Sequence, residues 1–263
     1  MKPLLSDRPV SKGAAHPALS MKGVTIDSDL GRALLAEVDL DVAAGELVGV
    51  AGLAGNGQRD LVDAALGLRD LSAGGVMICG TAIRPGHPAD ARALGAVCVP
   101  EDPVTDAVVP GLSINEHLAL DDLSGHKRGL GIDWGKVQQS RDRMSETTDL
   151  RVAHGHRIVS ELSGGNIQRV MLARALSTPV PLVVASYPSR GLDIATTRRT
   201  QELLLEQRAA GAGVLLVSED IDELIDLCDR VVVIREGRIV GEMVRGHMDR
   251  LAIGALMLGE AAA

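Results

Sequence analysis

Residues 46–61 read ELVGVAGLAGNGQRDL, and no other stretch constrains the fold as much. The run through Ala51 is continuously apolar, which suits a strand buried on both faces. After the glycines, Leu61, Ala64, Ala65 and Leu68 recur at the spacing of one helix face. Strand, glycine loop and helix follow one another, and within that order Gly52 and Gly57 carry the G-x-x-x-x-G spacing of a phosphate cradle. With Gly55 and Asn56 between them, the backbone N–H groups are free to converge on an anion, and the helix behind presents its positive end. Such a loop continues with Lys and then Ser or Thr; this one continues with Gln58, Arg59 and Asp60. Taken alone, it reads either as a weakened phosphate site or as a packing turn made of small residues.

The rest of the chain places that unit in an α/β fold. MKGVTIDSD (21–29) and LLAEVDLDV (34–42) alternate polar with apolar, as half-buried antiparallel strands do. GGVMICGTAI (74–83) and LGAVCVP (94–100) are strand-like as well. A loop-rich and helical region over about 103–178 reads as an inserted subdomain, in which Ser113 and Glu116 of SINEHLAL form a capping-box signature. PLVVAS, GVLLVS and RVVVIREG then alternate with helical segments, which predicts a mainly parallel sheet with crossover connections.

Composition narrows the function classes. Of 263 residues 46% are apolar, enough for one large domain, yet the aromatics are only Trp134 and Tyr187. The core must be built from Val, Leu, Ile, Ala and Met, and the scarcity of aromatics argues against a base-stacking platform for single-stranded nucleic acid. A net charge of −8 with no basic stripe argues against a nucleic-acid partner. Cys79, Cys98 and Cys228 lie far apart with no C-x-x-C pair, which gives no metal spacing. No run approaches 18 apolar residues, and residues 1–20 read as a loose leader with no apolar core of a signal peptide.

ELSGGNIQRV (161–170) is far more specific than the glycine loop. With the following MLARAL it resembles the signature of the ABC ATPase family: Ser163 offers a hydroxyl, Gly164 and Gly165 let the backbone approach phosphate oxygens, and a helix from about Asn166 points its amide end the same way. Further segments resemble that family in its own order. VCVPED carries Glu101 at or beside the Q-loop position, PLVVASYPSRGLD resembles the Walker B strand and D-loop with Asp193, and VLLVSED stands where the switch histidine falls. The resemblance covers about residues 20–245. PED with LSINEHLAL, GNGQ and SRGLD look most like the second nucleotide-binding half of ribose- and nucleoside-type importers. It implies a phosphate-loop sheet core, an antiparallel β subdomain, the helical insertion and a short tail from residue 247.

The departures fall on the catalytic chemistry. Gln58 stands for the phosphate-loop Lys, Arg59 for the Mg²⁺-binding Ser/Thr, Ser186 for the Walker B Asp, Tyr187 for the catalytic Glu and Glu219 for the switch His. Residues 21–35 hold no aromatic for adenine. A unit charge at about 4 Å is worth roughly 4 kcal/mol at an effective dielectric of about 20. The missing lysine therefore weakens triphosphate binding by up to about three decades, less whatever Arg59 restores.

What the resemblance implies is a degenerate subunit. Its own loop (Gly52, Gly55, Asn56, Gly57, Gln58, Arg59, Asp60) binds ATP weakly, and its intact signature (Ser163, Gly164, Gly165, Asn166) completes the Mg²⁺-ATP site of a second nucleotide-binding domain. Glu101 and Asp193 would lie at interfaces, and membrane permease subunits would hold the chain on the cytoplasmic face. Two alternatives stand beside this: an ATPase active through unconventional residues, and a scaffold of the same ancestry. Glu101, Asp102, Glu219 and Asp220 as a new acid–base group, and His154 with His156 as metal ligands, are weaker readings than solvated polar residues.

Overall fold

The computed structural model describes residues 16–28 and 30–259. In chain order the elements are β1 (Leu19–Asp27), β2 (Ala33–Val42), β3 (Leu47–Ala51), α1 (Gln58–Ala65), β4 (Ala73–Ile78), β5 (Thr81–Ile83), α2 (Pro88–Ala93), β6 (Ala96–Val99), α3 (Pro103–Asp106) and α4 (Ile114–Asp121). A small hairpin, β7 (Lys127–Arg128) and β8 (Gly131–Ile132), precedes α5 (Trp134–Thr148) and α6 (Gly164–Leu176). The remainder is β9 (Leu182–Ser186), α7 (Ile194–Ala209), β10 (Gly213–Val217), α8 (Ile221–Leu227), β11 (Arg230–Arg235), β12 (Arg238–Val244) and α9 (Arg250–Leu258).

These elements divide into two compact units. The first contains the described residues through Cys98, Pro179–Tyr187 and the described residues from Leu204 onward; the second contains Val99–Thr178 and Pro188–Leu203. In the first unit one sheet has the order β12-β11-β3-β10-β9-β6 and another the order β2-β1-β4-β5. β3 pairs in parallel with β10 and β11, β10 pairs in parallel with β9, and β12 closes the edge antiparallel to β11. Every residue of β3, β9 and β10 is buried, as continuously apolar central strands require. β1 pairs antiparallel with β2 and β4.

Leu61, Val62, Ala64 and Ala65 of α1 enter a core shared with Leu19, Met21, Leu35, Val184 and Val232. Each such Leu or Val contributes about 1.5–3 kcal/mol by leaving water. Among the described residues the largest fully buried side chains are Leu, Ile and Met, as an almost aromatic-free composition demands. Gly49 is needed at the back of this sheet: a Cβ there would sit 2.7 Å from Cys228 Sγ and 2.9 Å from Leu224 Cδ2. Gly49→Ala is therefore expected to lower stability by about 1–3 kcal/mol in a denaturant titration.

The second unit is helical. Ser113 caps α4 through the expected box, its hydroxyl accepting the Glu116 N–H while the Glu116 carboxylate accepts the Ser113 N–H at 2.7 Å. His117 is tied at both ring nitrogens: one accepts the Val109 N–H at 2.9 Å and the other donates to Ser113 O at 2.8 Å.

Some expectations shift. α1 ends at Ala65, its C-cap at Leu66 and Gly67 turns the chain, so Leu68 is half-exposed and not on the buried face. α6 begins at Gly164, two residues before Asn166. The leader expected over residues 1–20 lies outside the described residues as far as residue 15, and β1 already includes Leu19 and Ser20. In the tail, α9 occupies Arg250–Leu258. No helix among the described residues is long and apolar enough to cross a membrane.

Candidate functional site

In the first unit three segments leave the carboxyl ends of adjacent parallel strands. The loop 52–57 follows β3, Tyr187 follows β9, and Ser218 with Glu219 follows β10. Val217 of β10 lies in register with both Val50 and Ser186, so the three segments emerge at one edge. Open α/β sheets bind ligands at such an edge.

The loop is a turn with the phosphate-cradle shape. Gly55 has φ +83° and Gly57, capping α1, has φ +107°. A Cβ on Gly57 would also lie 3.1 Å from Leu34 O, so glycine is required there on both counts. Gln58 opens α1 and is 3% exposed, with both ends of its carboxamide bonded to the loop: Nε2 donates to Leu53 O at 2.9 Å, and Oε1 accepts the Asn56 N–H at 3.1 Å. Arg59 is exposed, and the Asp60 carboxylate accepts from Arg69 at 2.6 Å.

These residues do not fit a magnesium-bound triphosphate. Arg59 offers no oxygen ligand for the metal, and a carboxamide brings no positive charge. Ser186 is buried, and the Tyr187 side chain, only 8% exposed, belongs to the hydrophobic core cluster. Its backbone has φ +47° and its N–H donates to Val217 O at 2.8 Å. A phenol packed in a core is no water-activating base. Glu219 is exposed; the following Asp220 is occupied as the N-cap of α8, accepting the N–H groups of Asp222 and Glu223. Glu223 of α8 is buried and accepts from Ser218 Oγ at 2.6 Å.

In the second unit the signature forms the tip of α6. Ser163 is its N-cap with extended backbone (φ −65°, ψ 152°), yet its hydroxyl makes no bond to its own helix. Ser163 and Gly164 are exposed, a Cβ on Gly164 would meet nothing within 4 Å, and one on Gly165 only Gly191 O at 3.8 Å. The amides of Gly164 and Gly165 come before the first intrahelical bonds, which Asn166 and Ile167 make to Ser163 O at 2.9 and 3.0 Å, so this tip presents those two N–H groups and the positive helix end together. Asn166 accepts from Arg169 through its side-chain oxygen at 3.4 Å.

Behind the tip the D-loop is fastened to the same helix. Gln168, buried, donates to Pro188 O at 3.1 Å, and Arg169 donates to Asp193 at 2.7 Å and to the Thr196 hydroxyl at 3.1 Å. Asp193 also accepts the Thr196 N–H at 2.9 Å. The Thr196 amide and hydroxyl, with Arg169 beside them, hold the Asp193 carboxyl down to about 2. Glu101 accepts from Arg190 at 2.7 Å. Neither Arg190 nor Arg169 had been singled out for those contacts; the signal present was an arginine in each motif, SRGLD and NIQRV, with a carboxylate placed far off in sequence.

Other candidates resolve locally. Asp102 caps α3. The rings of His154 and His156 stack at 5.9 Å. Among the described residues, no three His, Cys, Asp or Glu side chains group around a common metal position.

Comparison with known proteins bears on the fold and the family. An ATP-binding cassette solved as a dimer in a post-hydrolysis state with ADP and phosphate superposes with a TM-score of 0.76 at 22% identity, covering 88% of this chain and all of that one, which shows the fold. The chain is 37% identical over 93% of its length to a glucose import ATP-binding protein, TsgD13, of Haloferax volcanii, of which it covers 45%. It is 33% identical over 94% of its length to a nucleoside import ATP-binding protein, NupA, of Lactococcus lactis subsp. cremoris, of which it covers 50%. The chain thus spans about half the length of the curated relatives it matches. The family model described as ABC transporter matches residues 35–188, more than half of the sequence, and by that match the chain belongs to the ABC transporter family.

Proposed function

We propose that this chain is a nucleotide-binding subunit of an ABC importer whose own hydrolytic site is degenerate, and which lends its signature tip to the ATP site of an intact partner. The observation that carries the reading is the contrast between the two sites. At Ser163 and Gly164 an exposed hydroxyl and an open helix end wait unengaged, while Gln58 and Tyr187 are closed into their own unit. The names of the relatives support a sugar or nucleoside as the class of solute.

In this reading Ser163 donates its hydroxyl, and the amides of Gly164 and Gly165 donate N–H bonds, to phosphate oxygens of ATP held by the partner. Mg²⁺ and the attacking water belong to the partner's residues. Arg169, Asp193, Thr196 and Gln168 position the tip by locking α6 to the D-loop, which removes the need to order it during turnover. ATP binds weakly to residues 52–60. The partner is a second nucleotide-binding domain, a separate subunit or the other half of a longer chain, and membrane permease subunits hold the pair on the cytoplasmic face through the region of Glu101.

The test is steady-state ATPase assay of the purified chain, alone and mixed with its catalytic partner. The chain alone is expected to show no turnover, and the mixture to hydrolyse. Turnover by the chain alone that is lost in Tyr187→Phe or Glu219→Gln would overturn the reading in favour of a self-sufficient ATPase; no association with any permease would leave a scaffold.

A further inference from the structure

The carboxamide of Gln58 sits where the loop would otherwise face a ligand. Its oxygen accepts the N–H of Asn56, the residue between the last two glycines, at 3.1 Å, an N–H that it shares with Leu53 O at 3.2 Å, and its nitrogen donates to Leu53 O at 2.9 Å. A lysine can make the second of these bonds but not the first, because an ammonium group has no acceptor. The bond pattern also fixes which end of the amide is oxygen, since the reverse would set an NH₂ against an N–H.

The surroundings are fitted to this side chain. A Cβ on Gly52 would lie 2.7 Å from Gln58 Nε2 and 2.7 Å from Ile234 O, so the absence of a side chain at 52 is what gives the carboxamide room. Asn56 is tied down from its other side as well. Its backbone oxygen accepts from Gly237 at 2.9 Å, its Oδ1 accepts from Glu236 N at 2.9 Å, and its Nδ2 donates to Leu53 O at 2.9 Å. The turn Glu236–Gly237, with φ +49° and +73°, presents both N–H groups to the loop. The loop is therefore held in its cradle shape with no anion required.

The geometry points to Gln58 as a built-in plug: its carboxamide oxygen takes the loop N–H that a phosphate oxygen would take, and an inorganic or nucleoside polyphosphate binds residues 52–59 only by displacing it. This rests on the reading of those residues as a phosphate loop. It changes the meaning of the missing lysine, because the site is then occupied from within and not merely short of a charge. It also lets the first unit keep one loop conformation through a partner's catalytic cycle.

Two accounts separate on one substitution. If only charge is missing, Gln58→Ala adds none and binding does not improve. If Gln58 is a plug, Gln58→Ala removes the nearer of the two acceptors of the Asn56 N–H and leaves only the turn bond to Leu53 O at 3.2 Å, and calorimetry of the full chain with inorganic triphosphate and with ATP should show about tenfold tighter binding than the unsubstituted protein. Gln58→Lys should bind tighter still. Hydrogen exchange at residues 53–57 should be slow without ligand in the original chain and faster in Gln58→Ala. Gln58→Ser, whose side chain is too short to reach the Asn56 N–H, repeats the test should the alanine variant fail to fold, with the same gain expected. A gain with lysine but none with alanine or serine overturns the plug and leaves the phosphate loop standing. No gain in any variant overturns the phosphate-loop reading itself.

Discussion

Gly164→Asp in this chain should lower ATP turnover of the assembled pair by about two to three decades, although no residue of the partner is touched. The substitution puts a carboxylate at the tip of α6, where the account has Ser163 and two glycine amides gripping phosphate. A like charge within about 4–5 Å of a phosphate oxygen costs roughly 3–4 kcal/mol at an effective dielectric of about 20, which is two to three decades in rate. The fold gives no other route to such a loss. Gly164 is exposed, and a Cβ there meets nothing within 4 Å, so the new side chain enters open space. An acidic residue in the first turn of a helix is, if anything, stabilising. The melting temperature of the variant should accordingly match that of the original chain, and Gly164→Ala should retain most of the activity. Full turnover in Gly164→Asp would remove the signature from the mechanism.

The largest expected loss of stability lies in the first unit, at a buried ion pair. Arg208 donates through Nε and a terminal nitrogen to the two oxygens of Asp229, both at 2.7 Å. The Asp229 carboxylate also accepts the Leu47 N–H at 2.8 Å, while its own N–H donates to Leu47 O at 2.8 Å. The two side chains are 6% and 14% exposed. The pair thus ties the end of α7 and the loop before β11 to the first residue of the strand that leads into the glycine loop. Removing one member of a buried pair strands the other and leaves an amide without its acceptor, and Asp229→Ala should cost about 3–5 kcal/mol in chemical denaturation. Arg208→Met with Asp229→Leu should cost less than the sum of the single changes, since no lone charge remains. Equal and additive losses would show that the two side chains act independently.

Much of this was legible before any coordinates. Continuous apolar runs at Leu47–Ala51, Leu182–Ser186 and Gly213–Val217 marked central parallel strands because a strand covered on both faces has no polar side to show. The capping box at Ser113 and the helix after Ser163 were readable because caps are local: the partners lie within one turn. What escaped was set by contacts between residues distant in sequence. The Glu236–Gly237 turn reaches Asn56 across 180 positions. Arg190 reaches Glu101 across 89. Neither pairing leaves a local trace.

Gln58 shows the limit from the other direction. Its identity told that a charge was missing, but not that the side chain would fold back into the loop, because that depends on the space Gly52 leaves in front of Ile234 O. Asp193 likewise read as an interface residue; its carboxylate is engaged by Arg169 and Thr196 within its own unit, where it holds α6 and the D-loop together. Leu68 kept helical spacing past the true end of α1, where the turn at Gly67, with φ +66°, breaks the period.

The central claim is that the pair has one working site, built from the partner's catalytic residues and this chain's Ser163–Asn166. Single-turnover quench of the assembled pair, saturated with labelled ATP and Mg²⁺, counts the nucleotides hydrolysed per pair. The account expects one. Two per pair, with the second removed by a change at Tyr187, would mean that residues 52–60 of this chain hold a hydrolysing site of their own.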